Sequence, residues 1–282
     1  MRKGLITLFI LIMLAISVGL DVRILTNEQD EEMELDLQLE EEDVGLVFFD
    51  LPNGEATYIE LPSGETFLIG TGSEDSAEAL FYRLRKLNVQ SIDTIILPRF
   101  EKEYSGNVEK IITKLKTKQL IVPSKGLSQA INQYQSFAID IFEWKENELY
   151  PISDYASIKT LSNDQALMPM VSFILSVHDK HQFFFSFEAN ESLEKTWIEE
   201  GLSPVSILKV AEFGDEVGTS QRFLNEIDPE VAVLFSKRDA EISAQLIERL
   251  QETWIDTYTM KQNGSVIVKI NKLDYDIVTV HF

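Results

Sequence analysis

The chain has 282 residues, 44% of them apolar, enough to build the core of one large domain or two small ones. It carries 47 acidic against 25 basic residues and shows no basic patch; a net charge of −22 repels a phosphate backbone and argues against DNA or RNA as a partner. With no cysteine, disulfides, thiolate metal sites and cysteine nucleophiles are excluded together.

In chain order, MRKGLITLFILIMLAISVGL opens with Arg2 and Lys3 and runs apolar from Leu5 to about Leu20. That is the layout of an export signal or a single membrane anchor over residues 1–20. At roughly 16 residues the run is long for a signal's apolar region and short for a spanning helix. Ala15 and Ser17 are small residues of the kind that precede a cleavage site. The run has no polar face, which disfavours a buried core helix. The basic residues hold the cytoplasmic side, so the remainder is expected outside the cytoplasm and the membrane is the first expected partner. Residues 21–43, dominated by NEQDEEMELDLQLEEED, repel themselves and read as a solvated acidic tether, with an edge strand over ELDLQL as the alternative.

From Val44 to the end, 44–282, the signals are those of a folded domain. VGLVFFDL, ATYIEL and TFLIG are strand-like runs separated by PNGE and PSGE, whose Asn-Gly and Ser-Gly pairs mark turns. Ala77, Leu80, Phe81, Leu84 and Leu87 then recur at helical spacing, with Ser73 or Ser76 as the expected N-cap. A strand over Ile92–Leu97, a helix carrying Val108, Ile111, Ile112 and Leu115, a strand over Gln119–Val122 and a helix over Leu127–Tyr134 follow. The next runs are strands at Val171–Val177 and Gln182–Phe187, joined by the polar turn HDKH, and a helix with Leu193, Trp197 and Ile198 on one side. Strand–helix pairs at Pro204–Val210 with Ser220–Ile227, and Val231–Phe235 with Ala240–Leu250, precede strands at Trp254–Met260 and Ser265–Ile270. Two β-rich halves that each end in strand–helix units predict two sheets face to face with helices outside.

The stretch Phe48–Ser73, FFDLPNGEATYIELPSGETFLIGTGS, resembles the opening of the metallo-β-lactamase-fold family, and most of all the branch found as the extracellular domain of competence-type DNA-uptake channels. Asp50, Gly54, Thr71 and Gly72 match that branch's landmarks, Glu55 stands at its second acid, and Pro52 departs from its usual glycine. The resemblance extends over most of Val44–Ile270 and implies an α/β (α+β) fold, a four-layer αββα sandwich. In the active family the strand before Pro98 ends in Thr-His-x-His-x-Asp-His, which holds one or two metal ions, usually zinc. Here Arg99 and Tyr104 stand at the outer histidines, Glu101 at the middle one and Glu103 at the aspartate. Gly70 takes the place of the acid in Ile-Asp-Thr-Gly, and Glu188 falls near the later aspartate ligand. Glu212 and Phe213, in ILKVAEFGD, stand at a His-His pair, and SKRDAEIS, Ser236–Ser243, brings no histidine to the last ligand region. The structural glycines Gly72, Gly106 and Gly214 are kept.

Zinc sites of this kind need neutral imidazole nitrogens at about 2.0–2.1 Å, and arginine stays protonated. The resemblance therefore implies a degenerate site: no cofactor, no hydrolysis, and an unidentified protein partner. The alternative is a metal-dependent hydrolase rebuilt on carboxylates, with Glu101, Glu103, Glu188, Glu212 and Asp215 as candidates for a hard ion such as Ca²⁺, Mg²⁺ or Mn²⁺. Arg99 and Lys102 oppose that by supplying charge without metal, and Phe100 and Phe213 by bringing apolar bulk; an Arg–Glu cluster plugging the cleft is the preferred expectation. His178 and His181 are expected as exposed turn residues away from the cleft, and His281 as incidental. No Gly-x-Ser-x-Gly elbow is present for a serine hydrolase, and carboxylate pairs alone neither support nor exclude glycosidase chemistry.

Overall fold

The computed structural model describes residues 35–166, 168–202 and 204–282. The leader over 1–20 and most of the tether lie outside the described residues. One compact unit spans Asp36–Phe282. Its first residues join no ladder: Leu37 and Leu39 pack over Gly45, where a methyl would stand 2.7 Å from Leu37 Cδ1, and Asp43 is buried, so the last part of the expected solvated tether is corrected to a segment lying on the domain. Among the described residues no helix is long and apolar enough to cross a membrane.

The opening runs form strands β1 (Val44–Phe48), β2 (Thr57–Glu60) and β3 (Thr66–Ile69), an antiparallel meander. Helix α1 (Ala77–Lys86) follows a short 3₁₀ turn at Glu74–Ser76. Neither expected serine caps it. The Ser73 and Ser76 hydroxyls donate instead to the Asn53 carbonyl at 2.8 and 2.6 Å, tying the PNGE turn to the helix start. Strand β4 (Thr94–Ile96), helices α2 (Lys102–Ser105) and α3 (Val108–Lys114), strand β5 (Gln119–Pro123) and helix α4 (Leu127–Tyr134) fall where hydrophobic spacing put them, apart from the one-turn α2.

Three strands then appear in the interval where no run is legible: β6 (Asp140–Trp144), β7 (Leu149–Pro151) and β8 (Ala156–Thr160). The second half holds β9 (Phe173–Val177), β10 (His181–Phe185), α5 (Glu191–Glu199), β11 (Ile207–Lys209), α6 (Gln221–Ile227), β12 (Val231–Leu234), α7 (Ala244–Glu252), β13 (Asp256–Thr259), the short α8 (Met260–Asn263), β14 (Ser265–Ile270) and β15 (Tyr275–Val280). The last strand, too, was not legible.

One sheet runs β15-β14-β1-β2-β3-β4-β5-β6 and the other β13-β12-β11-β10-β9-β8-β7. Both are mixed: β3 to β6 and β10 to β13 pair in parallel through helical crossovers, the rest antiparallel. Successive residues of a strand point to opposite faces, and β10 shows the layers directly. Phe185 stacks on Phe48 and Phe173 at 5.9 and 4.9 Å between the sheets, while Phe184 meets Trp197 and Phe223 of the outer helices at 5.4 and 5.5 Å. The two facing sheets with outer helices expected from the pattern, and the four-layer αββα sandwich that the resemblance implies, are the fold observed.

Chain reversals set the turn before β10. His178 and Asp179 both have φ of 54°, and Lys180 N–H donates to the Val177 carbonyl at 3.2 Å, a type I′ hairpin. The two histidines diverge: His178 stacks on Tyr155, whereas His181 begins β10 and is buried against Tyr275. The expectation of two exposed turn residues is corrected for both: His178 is half-buried against Tyr155, and strand alternation turns the His181 ring inward.

Candidate functional site

Three loops converge at one end of the sandwich: 50–55 after β1, 70–73 after β3 and 98–107 after β4. Backbone bonds zip them together, from Glu55 N–H to the Glu103 carbonyl (2.9 Å), Thr71 N–H to the Tyr104 carbonyl (2.7 Å) and Gly106 N–H to the Gly72 carbonyl (2.9 Å). This closeness explains two glycines. At Gly54 (φ +89°) a Cβ would lie 2.3 Å from the Glu103 carbonyl oxygen, and at Gly70 (φ +67°) it would lie 2.7 Å from that of Glu55. The place of the family's acid at Gly70 therefore has no room for a side chain. Asp50, the first landmark, turns away to the start of β14. It takes Arg83 Nε of α1 at 2.6 Å and the Ser265 hydroxyl of β14 at 2.5 Å.

Arg99 is the centre of the arrangement. Its guanidinium is 7% exposed and joins loops from both sheets. Nη1 donates to the Phe187 carbonyl and to Glu212 Oε1, each at 2.5 Å, and Nε donates to both Glu101 oxygens at 3.1 and 3.2 Å. Glu212 Oε2 also accepts from the Ala189 N–H at 3.2 Å. Glu212 reaches this point through strained backbone: Glu212 (φ 43°), Phe213 (φ 59°) and Gly214 (φ 83°) are three successive left-handed residues, a region costly for the first two.

Beneath Arg99 lies a second, deeper ion pair. Lys209, the last residue of β11, is 1% exposed and contacts Glu55 Oε2 directly, while its ammonium donates to the Ser186 carbonyl at 2.9 Å. Its charge sits 4.0 Å from the Phe187 ring centroid, with Tyr104 and Phe235 about as near as the next layer at 5.9 and 5.8 Å. The Tyr104 hydroxyl points at Glu55 Oε1. Burial pushes the Glu55 carboxyl up and the Lys209 ammonium down, each opposed by the charge of the other. Burial, and then Glu55, hold the Tyr104 phenol far above its usual range. Burial also works against the Arg99 charge, yet Glu101, Tyr104 and Glu212 keep it more basic than an ordinary arginine.

The other candidates are placed as follows. Glu103 pairs with Lys237 at 3.3 Å, and that ammonium lies 5.5 Å from the Phe213 ring, so Lys237 has the role expected of the exposed Lys102. Glu188 is buried and accepts from Asn190 Nδ2 at 3.2 Å. Asp215 is exposed at the rim. Phe213 and Tyr104 close the floor at 5.8 Å centroid to centroid. Phe100 does not: its ring covers Gly126, where a Cβ would be 2.3 Å from it, because alternation after β4 sends Arg99 inward and Phe100 to the opposite side. What remains open is a hollow of about 300 Å³, lined by Arg99, Glu101, Glu103, Glu212, Asp215 and Lys237 among others. Beyond Phe213 and Lys237 a larger cleft of about 800 Å³ reaches Asp50, Met260 and His281.

The residues present do not fit the zinc that the family resemblance implies. Among the described residues no three His, Asp or Glu side chains are arranged to hold an ion, and a guanidinium stands between Glu101 and Glu212. Sequence reasoning found Arg99 and its glutamates. It missed Lys209, although the residue is quoted in ILKVAEFGD; a lysine closing an otherwise apolar strand run was the available signal.

The Arg99 contacts make a pH dependence. Partial burial alone would raise the Glu101 carboxyl, but the Arg99 hydrogen bonds and charge outweigh it and hold it below the usual range. The unfolded chain thus takes up that proton first on acidification. The stabilisation is complete above the ordinary carboxylate pKa and is lost as pH falls through the lower folded value. Glu101→Gln is expected to cost about 1 kcal/mol at pH 7, discounted because a third of the side chain is exposed, with the gap to wild type closing below about pH 4 in urea melts. A gap that does not narrow on acidification would contradict the pairing.

No protein-family model matches the sequence, and no curated protein sequence matches it. Solved structures do match. The metallo-β-lactamase fold protein YhfI from Bacillus subtilis superposes with a TM-score of 0.60 at 8% identity, over 80% of this chain and 100% of that one. A mutant of the β-hydroxylase CmlA superposes with a TM-score of 0.57 at 11% identity, over 83% of this chain and 55% of the longer protein.

Proposed function

We propose that this chain, a protein of metallo-β-lactamase fold, works as an interaction or regulatory module and not as a hydrolase. One observation carries the reading: at the position where the resemblance puts metal-binding histidines, Arg99 is fixed between Glu101 and Glu212 and supplies the positive charge covalently. A guanidinium has no lone pair for a metal and repels a cation. Without a bound ion, no water is activated at neutral pH in the manner of the family's hydrolases. Lys209, locked to Glu55, gives the layer below the same character: a cation delivered by the chain itself.

The setting we propose is the outer side of a membrane. The apolar leader over 1–20 supports export or anchoring, and the acidic residues between it and Asp36, where the compact unit begins, support a tether. The resemblance of Asp50, Gly54, Thr71 and Gly72 to the competence-type channel domain suggests an origin in that branch, while the net charge of −22 supports a protein partner over nucleic acid.

The test is metal analysis of the purified chain, together with thermal melts in Zn²⁺, Mn²⁺ or Ca²⁺ and assays on phosphodiester, lactam and thioester substrates. The expected result is sub-stoichiometric metal, an unchanged melting temperature on addition of ions or chelator, and no turnover. Stoichiometric zinc with turnover defeats the proposal. A strong Mn²⁺- or Ca²⁺-induced stabilisation, lost in Glu101→Ala and Glu212→Ala, would establish the carboxylate-rebuilt hydrolase instead.

A further inference from the structure

The two sheets end in four outer strands, and three of them are protected. β7 is three residues long and ends in Pro151. β6 carries Asp140 and Glu143 within five residues. β13 has four residues and passes directly into α8. Such features keep an open strand edge from pairing with another chain. β15 is the least protected of the four. It is six residues long, YDIVTV, with four β-branched residues, no proline, no glycine and one charge. Among the described residues it pairs with β14 along its whole length and has no partner on its other side. In an antiparallel pair, alternate residues aim their N–H and C=O groups away from the partner, so the outer side of β15 offers a free ladder. Its inner face is anchored, because Tyr275 packs against His181 and Phe183, while Val278 is 61% exposed and Leu273, in the preceding turn, 79%.

The charge around this edge is predominantly negative. A hollow of about 400 Å³ at the β14–β15 turn is lined by Glu40, Glu41, Glu42 and Asp276, together with Lys269 and Lys272. Lys269 is already engaged by Asp43 at 3.2 Å. A second copy of the chain, or its own acidic stretch, would bring more negative charge to the same place.

We propose that β15 is a docking edge for a basic, extended segment of another protein, which adds a ninth strand to the sheet. Backbone hydrogen bonds to β15 supply the pairing, an apolar side chain of the segment covers Val278, and lysines or arginines meet Glu40–Glu42 and Asp276. The proposal names a partner for the interaction role above and rests on that role only for its setting. Zinc-dependent turnover would defeat the earlier reading and leave this one standing.

The experiment is fluorescence anisotropy of the full chain in detergent with a labelled peptide of four Lys-Val repeats. Controls are the Glu-Val counterpart and a Lys-Val peptide N-methylated at alternate amides. Saturable binding of the first is expected, with both controls at least tenfold weaker. The Asn271 N–H bonds the Asp274 carbonyl, so alternation along the register turns Asp276, Val278 and Val280 to β14 and leaves the N–H groups of Ile277 and Thr279 on the outer side. Thr279→Pro, which removes one of these outer N–H groups, should weaken binding at least tenfold, and Glu41→Gln with Glu42→Gln should reduce both affinity and salt dependence. Should Thr279→Pro not fold, the N-methylated peptide carries the test alone. Equal binding of the methylated peptide would reduce the effect to charge and overturn the proposal. So would undiminished binding to a folded Thr279→Pro, or a concentration-dependent dimer that Thr279→Pro abolishes.

Discussion

Lys209→Met is expected to destabilise the domain by about 3–5 kcal/mol in urea unfolding at pH 7, the magnitude seen when one partner of a buried ion pair is removed. The thioether fills the volume of the lysine stem among Phe187, Tyr104 and Phe235. What it cannot replace is the charge. Glu55, 2% exposed, is left as a buried carboxylate without its cation, and the Ser186 carbonyl loses its donor. Glu55 then folds most readily as the neutral acid. Its folded pKa, raised already by burial, rises further, so the variant is most stable below the unfolded carboxylate pKa and loses stability as pH climbs through the folded one. The deficit against wild type should therefore be smallest in mild acid. Adding Glu55→Leu should recover part of the loss, since an apolar pair of similar volume has no desolvation cost to offset. A single-variant loss below about 1 kcal/mol would show that Lys209 and Glu55 are solvated in solution and not the sealed pair described.

Arg99→Leu is expected to cost about 2–4 kcal/mol, less than the deeper pair because Glu101 and Glu212 each keep a third of their side chains in water. The loss comes chiefly from the Phe187 carbonyl and from unfastening the loop after β4 from those after β10 and β11. Arg99→Lys should restore less than half of it. An ammonium on a shorter stem cannot reach Phe187, Glu101 and Glu212 together, whereas the planar fork does. Relief of strain gives a further signature: without its partner, the Glu212–Phe213 backbone has less reason to stay left-handed. Amide exchange across Ala211–Asp215 should accelerate more than elsewhere in the domain. Full rescue by lysine, or exchange unchanged in that segment, would mean that Arg99 is a surface ion pair and not a fastener of the two sheets.

These residues divide by how they can be read. Buried strands and amphipathic helices are written in local periodicity, so α4 over Leu127–Tyr134 and the central strands were legible without coordinates. β6, β7, β8 and β15 were not. β6, β7 and β15 lie at sheet edges, β8 pairs directly beside one of them, and the exposure of β15 alternates imperfectly along its six residues. Such strands are defined by the neighbour they pair with, which no window of sequence contains. The lack of histidine between Leu97 and Asn107 was likewise plain in the residues themselves; that Arg99 stands where a histidine would is what the resemblance implies.

By itself, then, the sequence determined two sheets face to face with helices outside, the acidic balance and the lack of histidine and cysteine around Arg99, because each is a property of residue type and spacing along the chain. Only the tertiary structure decided which cation meets which carboxylate. Lys209 and Glu55 stand on strands or loops of different sheets, 154 positions apart in numbering, and the energy of an ion pair depends on distance and burial, quantities that exist only after the sheets have closed on one another.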